Sequence, residues 1–245
     1  MSDRVDITII GAGVVGLAMA ATLAKEDREV YVLEQHETFG KEITSRSGAT
    51  THVAWLPPVP GDPLKYKLCA RGRRKLWELV DKYQIPHLKK HKLFTIIDEG
   101  DYGLLQEFLE RGIRQGVEDL RMLSGQEIKK IEPNINYPAA IFIPETRKLD
   151  IITLLQCYIS QAMERGTQVV YNSKVIGIEK VANGYKVTVD HGTERESFYT
   201  RLLINCAGLG SEKVAQLAGI DTAKAGYELT VNDAAQGGYT VGNGK

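Results

Sequence analysis

The residues best suited to chemistry stand near the beginning of the chain. Gly11-Ala12-Gly13-Val14-Val15-Gly16 sets three glycines at the spacing of a turn that carries main-chain N–H groups up to an anion. A diphosphate needs such amides close to it at the positive end of a helix, and a side chain on the turn would block the approach. Gly11 suits the tight turn, Gly13 leaves clearance and Gly16 lets the helix pack closely on the strand. Glu34 follows about 20 residues later, where a carboxylate can accept hydrogen bonds from a ribose diol. An acid there disfavours NADP, whose 2′-phosphate would meet like charge. The pattern is that of a site for the ADP half of a dinucleotide.

These residues need a strand, a helix and a second strand to position them. Residues 6–10 (DITII) predict a short β-branched strand, residues 14–25 a helix of small residues and residues 29–33 (EVYVL) the second strand. The uncharged run over residues 7–24 is long enough to suggest a membrane span. Its glycine spacing and a start without net positive charge predict instead strand, loop and helix, with neither a transmembrane segment nor a signal peptide. The glycine turn and the acid leave FAD and NAD both open. A second glycine-terminated strand, residues 202–207 (LLINCA) before Gly208, predicts that the fold returns to the same nucleotide site at the carboxyl ends of parallel strands.

Farther along, residues 37–63 form an irregular stretch too long for a simple connection, holding TSRSGATTH and a proline-rich run. Helical spacing follows over residues 66–83, then a strand over 91–98 and a helix over 101–115. Ser124 and Glu127 have the spacing of a capping box. A helix is predicted over 151–165, strands over 168–171, 174–180 and 184–189 with a hairpin turn at Asn183-Gly184, and a last helix from Ser211 to Ala218. No internal repeat or low-complexity tract is visible.

Composition narrows the function. Lys+Arg and Asp+Glu both total 31, so no net field draws in nucleic acid, and a nucleic-acid partner is not expected. Cys69, Cys157 and Cys206 are odd in number and widely spaced, which predicts reduced, buried thiols and a cytoplasmic location rather than a disulfide framework. His87 and His91 share a helical spacing but lack acidic or cysteine companions, so no metal site is expected. Arg71, Arg73 and Arg74 read as a solvated helix face.

The stretches ITIIGAGVVGLAMAATLA with Glu34, TSRSGATTH, LKYKLCARGRRKLWE and INCAGLGSEKVAQLAGID occur in an order that resembles FAD-dependent oxidoreductases of the D-amino-acid oxidase superfamily. The likeness is greatest to the L-2-hydroxyglutarate dehydrogenases and oxidases and covers most of residues 5–222. It implies FAD as cofactor. Gly11, Gly13 and Gly16, the helix-opening Val14 and Val15, and Glu34 with Gln35 would hold its ADP part. Thr44, Ser45 and Arg46 would lie along the diphosphate and flavin, Val175 near the adenine, and Ala207 and Gly208 beside the cofactor. It also implies His52 as the catalytic base, removing the hydroxyl proton of a small 2-hydroxy acid while hydride passes to flavin N5. An imidazole titrating near neutrality suits that task.

On this resemblance the fold is α/β: a Rossmann-type FAD-binding domain with a parallel sheet, from residues 1–85 and 145–220, and a partial α+β substrate domain from 86–144 and 221–245. Two departures stand out. Around His52 the family's Asn-Ser-Gly and paired tyrosines are replaced by Ser47-Gly48-Ala49 and Ala54-Trp55-Leu56-Pro57, removing hydroxyls expected near a small carboxylate substrate. Relatives also continue beyond the position of Lys245, which implies a completing polypeptide or electron-acceptor partner. The alternatives are a related flavoprotein for an amino acid or glycerol 3-phosphate, and a dinucleotide-binding subunit or fragment without its own turnover.

Overall fold

The computed structural model describes residues 4–25, 27–51, 63–114 and 117–224. The chain divides into two compact units, residues 1–48 with 151–245 and residues 49–150. The sequence reading set its boundaries at 85 and 145. The helix over 63–82 falls in the second unit, where Asp81 pairs with the buried Arg147 at 2.7 Å.

The first unit begins with β1 (Arg4–Ile10), α1 (Val14–Leu23), β2 (Val30–Leu33) and the short α2 (Ile43–Arg46). The second contains α3 (Pro63–Lys82), β3 (His87–Thr95), α4 (Tyr102–Arg114), β4 (Arg121–Ser124), α5 (Gly125–Ile131) and β5 (Ala139–Leu149). The chain then returns to the first unit with α6 (Ile151–Met163), β6 (Gln168–Val170), β7 (Lys174–Val181), β8 (Gly184–Asp190), β9 (Arg195–Asn205) and α7 (Ser211–Leu217). No helix among the described residues is long and apolar enough to cross a membrane.

In the first unit the sheet runs β6-β2-β1-β9-β8-β7. Its first four strands are parallel, and β8 and β7 extend it antiparallel, so the sheet is mixed rather than parallel throughout. Ile7 and Ile9 of β1 with Val30 and Val32 of β2 pack against Leu17, Ala20 and Ala24 at α1 and Leu155 and Ala162 of α6. The alanines bring α1 close to the sheet and to α6, which explains a helix apolar on nearly every side. Leu33, Val187 and Val189 form a second cluster.

Several differences from the sequence expectations are local. The β7–β8 turn is Ala182-Asn183, one residue earlier than predicted, because Gly184 (φ +138) is already paired with Val181 and passes against the Thr200 carbonyl. β9 starts at Arg195, well before the apolar run, and its first half pairs antiparallel with β8. Within the apolar run that ends β9, Leu202 is 47% exposed. The expectation of three buried thiols is corrected, since Cys69 is exposed and Cys157 and Cys206 are half-buried.

The second unit holds the antiparallel sheet β3-β5-β4. Leu105 and Phe108 of α4 cover Ile141 and Ile143 of the central strand. The sequence reading missed β4 and β5 and started β3 four residues late. β5 carries Pro144 and several charges, and Pro144 lies where the β3–β5 register shifts, a bulge at which the ladder does not require its missing donor. The predicted capping box is present: Ser124 Oγ accepts from the Glu127 N–H at 3.4 Å, and Glu127 Oε2 accepts from the Ser124 N–H at 2.8 Å.

The hydrogen bonds from the Ser124 main chain and then its side chain hold the Glu127 carboxyl below its usual range. A depressed folded pKa contributes stability that is present above the unfolded value and lost as pH falls through the folded one. Ser124→Ala is expected to lower the melting temperature by about 4 °C at pH 7, with the deficit shrinking below about pH 4. A deficit that persists unchanged into acid would contradict the linkage, as read by calorimetry across pH.

Candidate functional site

The site is built at the carboxyl ends of β1, β2 and β9. After Ile10 the chain turns through Gly11 at φ +104, a left-handed conformation, and a Cβ there would stand 2.5 Å from the Cys206 carbonyl oxygen that follows β9. At Gly16 a Cβ would collide with the Gly11 carbonyl oxygen. Two glycines therefore let the first turn of α1 sit directly against the strand ends.

Gly13 is the N-cap of α1, in extended conformation and without a capping side chain of its own. Thr44 Oγ1 on α2 accepts the Val14 N–H at 3.1 Å. The amides of Gly13 and Val15 find no acceptor among the described residues. The positive end of a ten-residue helix thus keeps donors for an anion, with bare main chain in front of them.

Glu34 lies at the end of β2 and is 8% exposed. Its Oε2 accepts from the Ala12 N–H at 2.8 Å and its Oε1 from the His36 N–H at 3.0 Å. The two amides hold the carboxylate in one orientation and use half of its roughly four acceptor positions, leaving the others for a diol. Burial first, and then the charge of Glu34, push the Tyr171 phenol upward.

A cleft of about 490 Å³ opens over these groups. Of the residues predicted to bind the cofactor, Gly11, Gly13, Val14, Val15, Glu34, Gln35, Thr44, Val175, Ala207 and Gly208 line it. Gly16 does not, because it packs the helix on the turn beneath. Ser45 and Arg46 are exposed and outside the cleft wall; both donate to the carbonyls of Lys41 and Glu42. His52 lies outside the described residues. Among the described residues no group of three or more His, Cys, Asp or Glu side chains could hold a metal ion.

Several cleft residues escaped the sequence reading. Leu33, Val214 and Leu217 join Val175 as apolar walls, and Lys41, Lys174 and Lys213 bring positive charge. Lys213, Val214 and Leu217 belong to α7, whose cleft-facing side follows from its place after β9 rather than from any motif. Cys206 also lines the cleft, and burial pushes its thiol upward, which keeps it protonated at neutral pH. The donor set matches an ADP moiety part by part: apolar walls for a base, a carboxylate for a diol, and amides with lysines for a diphosphate.

A Gly-turned βα junction, a buried acid after the second strand and a shared cleft at the strand ends define an α/β dinucleotide-binding protein. The chain belongs to the family of FAD dependent oxidoreductases (DAO), whose model matches residues 6–240, and its cofactor is FAD. It is 34% identical to an L-2-hydroxyglutarate dehydrogenase of Indibacter alkaliphilus over 213 residues, 86% of this chain and 52% of that protein. It is 29% identical to a glycerol 3-phosphate dehydrogenase of Caloramator mitchellensis over 211 residues, 85% of this chain and 43% of that one. The structure of L-alpha-glycerophosphate oxidase from Mycoplasma pneumoniae with FAD bound superposes with a TM-score of 0.79 at 28% identity, covering 89% of this chain and 58% of the other. The chain spans about half the length of these relatives.

The close approach at Gly16 has a measurable cost if violated. Gly16→Ala must push α1 off the Gly11 carbonyl and is expected to destabilise the protein by about 3 kcal/mol, read as a lowered urea midpoint. An unchanged midpoint would show that the turn is less tightly packed than described.

Proposed function

We propose that this chain forms the dinucleotide-binding part of an FAD-dependent enzyme that oxidises a small 2-hydroxy acid resembling L-2-hydroxyglutarate. The observation that carries the reading is the cleft itself, where a glycine turn, an amide-held Glu34 and Thr44 meet, in a chain 34% identical to an L-2-hydroxyglutarate dehydrogenase.

Gly11, Gly13, Val14 and Val15 would hold the diphosphate, Glu34 and Gln35 the ribose, and Val175 the adenine. Thr44, Ser45 and Arg46 would follow toward the flavin, with Ala207 and Gly208 alongside. FAD, when bound, supplies the hydride acceptor. The chain's own part in the chemistry is to remove a proton: the imidazole of His52 takes it from the substrate hydroxyl, and the α-hydrogen leaves with its electron pair. A cytoplasmic location stays part of this reading, on the odd number and wide spacing of Cys69, Cys157 and Cys206 in the sequence. A completing polypeptide or electron-acceptor partner stays part of this reading.

A second reading, oxidation of glycerol 3-phosphate, is supported by the 29% identity to a glycerol 3-phosphate dehydrogenase and by the superposition on a glycerophosphate oxidase. Purified protein separates the two. Flavin absorbance that bleaches anaerobically with L-2-hydroxyglutarate supports the first, and bleaching only with glycerol 3-phosphate supports the second. Colour that neither substrate bleaches sinks both and leaves a binding subunit. Gly13→Leu fills the space before the amides and is expected to abolish flavin binding; unchanged flavin content would refute that placement. His52→Ala is expected to slow reduction by about 100-fold with flavin still bound, measured by stopped-flow absorbance. An unaffected rate puts the base elsewhere.

A further inference from the structure

The chain that carries Glu34 is tied to the segment following β6, the strand beside β2. The chain leaving β2 is tied to the loop between β6 and β7 by three main-chain bonds: Glu34 N–H to the Val170 carbonyl at 2.9 Å, Asn172 N–H to the His36 carbonyl at 3.0 Å and Ser173 N–H to the Glu34 carbonyl at 2.8 Å. That loop turns through Asn172 at φ +49, a left-handed conformation that asparagine adopts more readily than other residues with side chains, and its place rests on the groups bonded to it. Ser173 is 1% exposed and lines the cofactor cleft with Lys174 and Val175.

The holding group is His191, in the four-residue turn between β8 and β9. Ser173 Oγ donates its single proton to the Tyr171 carbonyl at 2.9 Å, so toward the imidazole it can only accept. His191 Nδ1 lies 3.2 Å from that oxygen and is therefore the protonated nitrogen. On the other side of the ring, Nε2 faces the Glu196 carboxylate at 3.7 Å. The turn itself is stiffened by the His191 N–H on the Glu194 carbonyl at 2.9 Å and by the Gly192 N–H on the Asp190 carboxylate at 2.8 Å. An imidazole and a buried hydroxyl thus link the β8–β9 turn to the wall of the cleft.

We propose that His191 is a positioning residue for the adenosine half of the cofactor: through Ser173 it fixes the segment 171–175 and, with it, the main chain that carries Glu34. His191 lines no part of the cofactor cleft and acts only through Ser173. The proposal rests on the reading of the cleft as an ADP site and deepens it by naming what holds that end in place.

The test uses the purified full chain, freed of flavin, and calorimetric titration with ADP, FAD and FMN. His191→Ala is expected to weaken ADP and FAD by a common factor of about ten while leaving FMN unchanged, because only the adenosine end is loosened. Ser173→Ala is expected to give the same factor, and the double variant no more than either alone, as for two residues acting in one chain. His191→Asn keeps an N–H near the Nδ1 position and is expected to restore ADP affinity, whereas His191→Leu is not. Equal loss for FMN, additive losses in the double variant, or His191→Leu matching the parent chain would each overturn the proposal. Absence of ADP binding in the parent chain would instead overturn the cofactor reading beneath it. Should His191→Ala fail to fold, the comparison of His191→Asn with Ser173→Ala decides the matter.

Discussion

Main chain meets main chain at the head of α1, and the rest of the first unit is arranged around that meeting. The carbonyl of Gly11 stands where any side chain at position 16 would begin, and the carbonyl of Cys206 stands where any side chain at position 11 would begin. β1 and β9 must therefore end at the same level, side by side and parallel, for the turn to fit between them. The alanines of α1 and the aliphatic residues of β1, β2 and α6 follow from the same demand, because a helix held so close to the sheet has room only for small side chains on its inner face. The amides left at the helix start are the functional product of this packing, since they face a cleft rather than a side chain.

Electrostatics at the other end of the cleft is handled by amides as well. Glu34 is nearly buried, yet its carboxylate accepts from main-chain N–H groups, those of Ala12 and His36. A carboxylate held by amides keeps acceptor capacity in fixed directions, whereas one closed by an arginine fork would present little to a ligand. A diol bound there would require little reorganisation of the carboxylate, which is where affinity is gained. The lysines at the cleft, Lys41, Lys174 and Lys213, oppose the acid with charge suited to a diphosphate.

How much of this was readable in the residues depends on whether the signal was local. The β1-α1-β2 unit was legible because strand alternation, glycine spacing and the acid all fall within one short stretch, each supporting the others. The capping box of Ser124 and Glu127 was legible for the same reason. β5 was not, since its sequence AAIFIPETRKL contains a proline and three charged residues, and it becomes a strand only because β3 and β4 pair on both sides of it. The first half of β9 was hidden similarly, its alternation masked by Arg195 and Glu196 until β8 lay beside it. Of the residues that line the cleft, Gly11, Gly13, Glu34 and Thr44 are singled out by the sequence, while Ser173, Lys213 and Leu217 are not, because no spacing links residues that meet only at strand ends.

The amino-acid sequence alone determined a glycine turn between strand and helix, an acid at the end of the second strand and which family the chain resembles, because each of these is written in residues close together or in stretches kept in order. Tertiary structure decided the composition of the cleft walls, the mixed sheet in place of a parallel one, the division near residues 48 and 151, and the clasp from His191 through Ser173 to the chain carrying Glu34. Those features depend on contacts between residues far apart along the chain, whose pairing is selected by the packing of the whole unit and leaves no periodic trace in either partner.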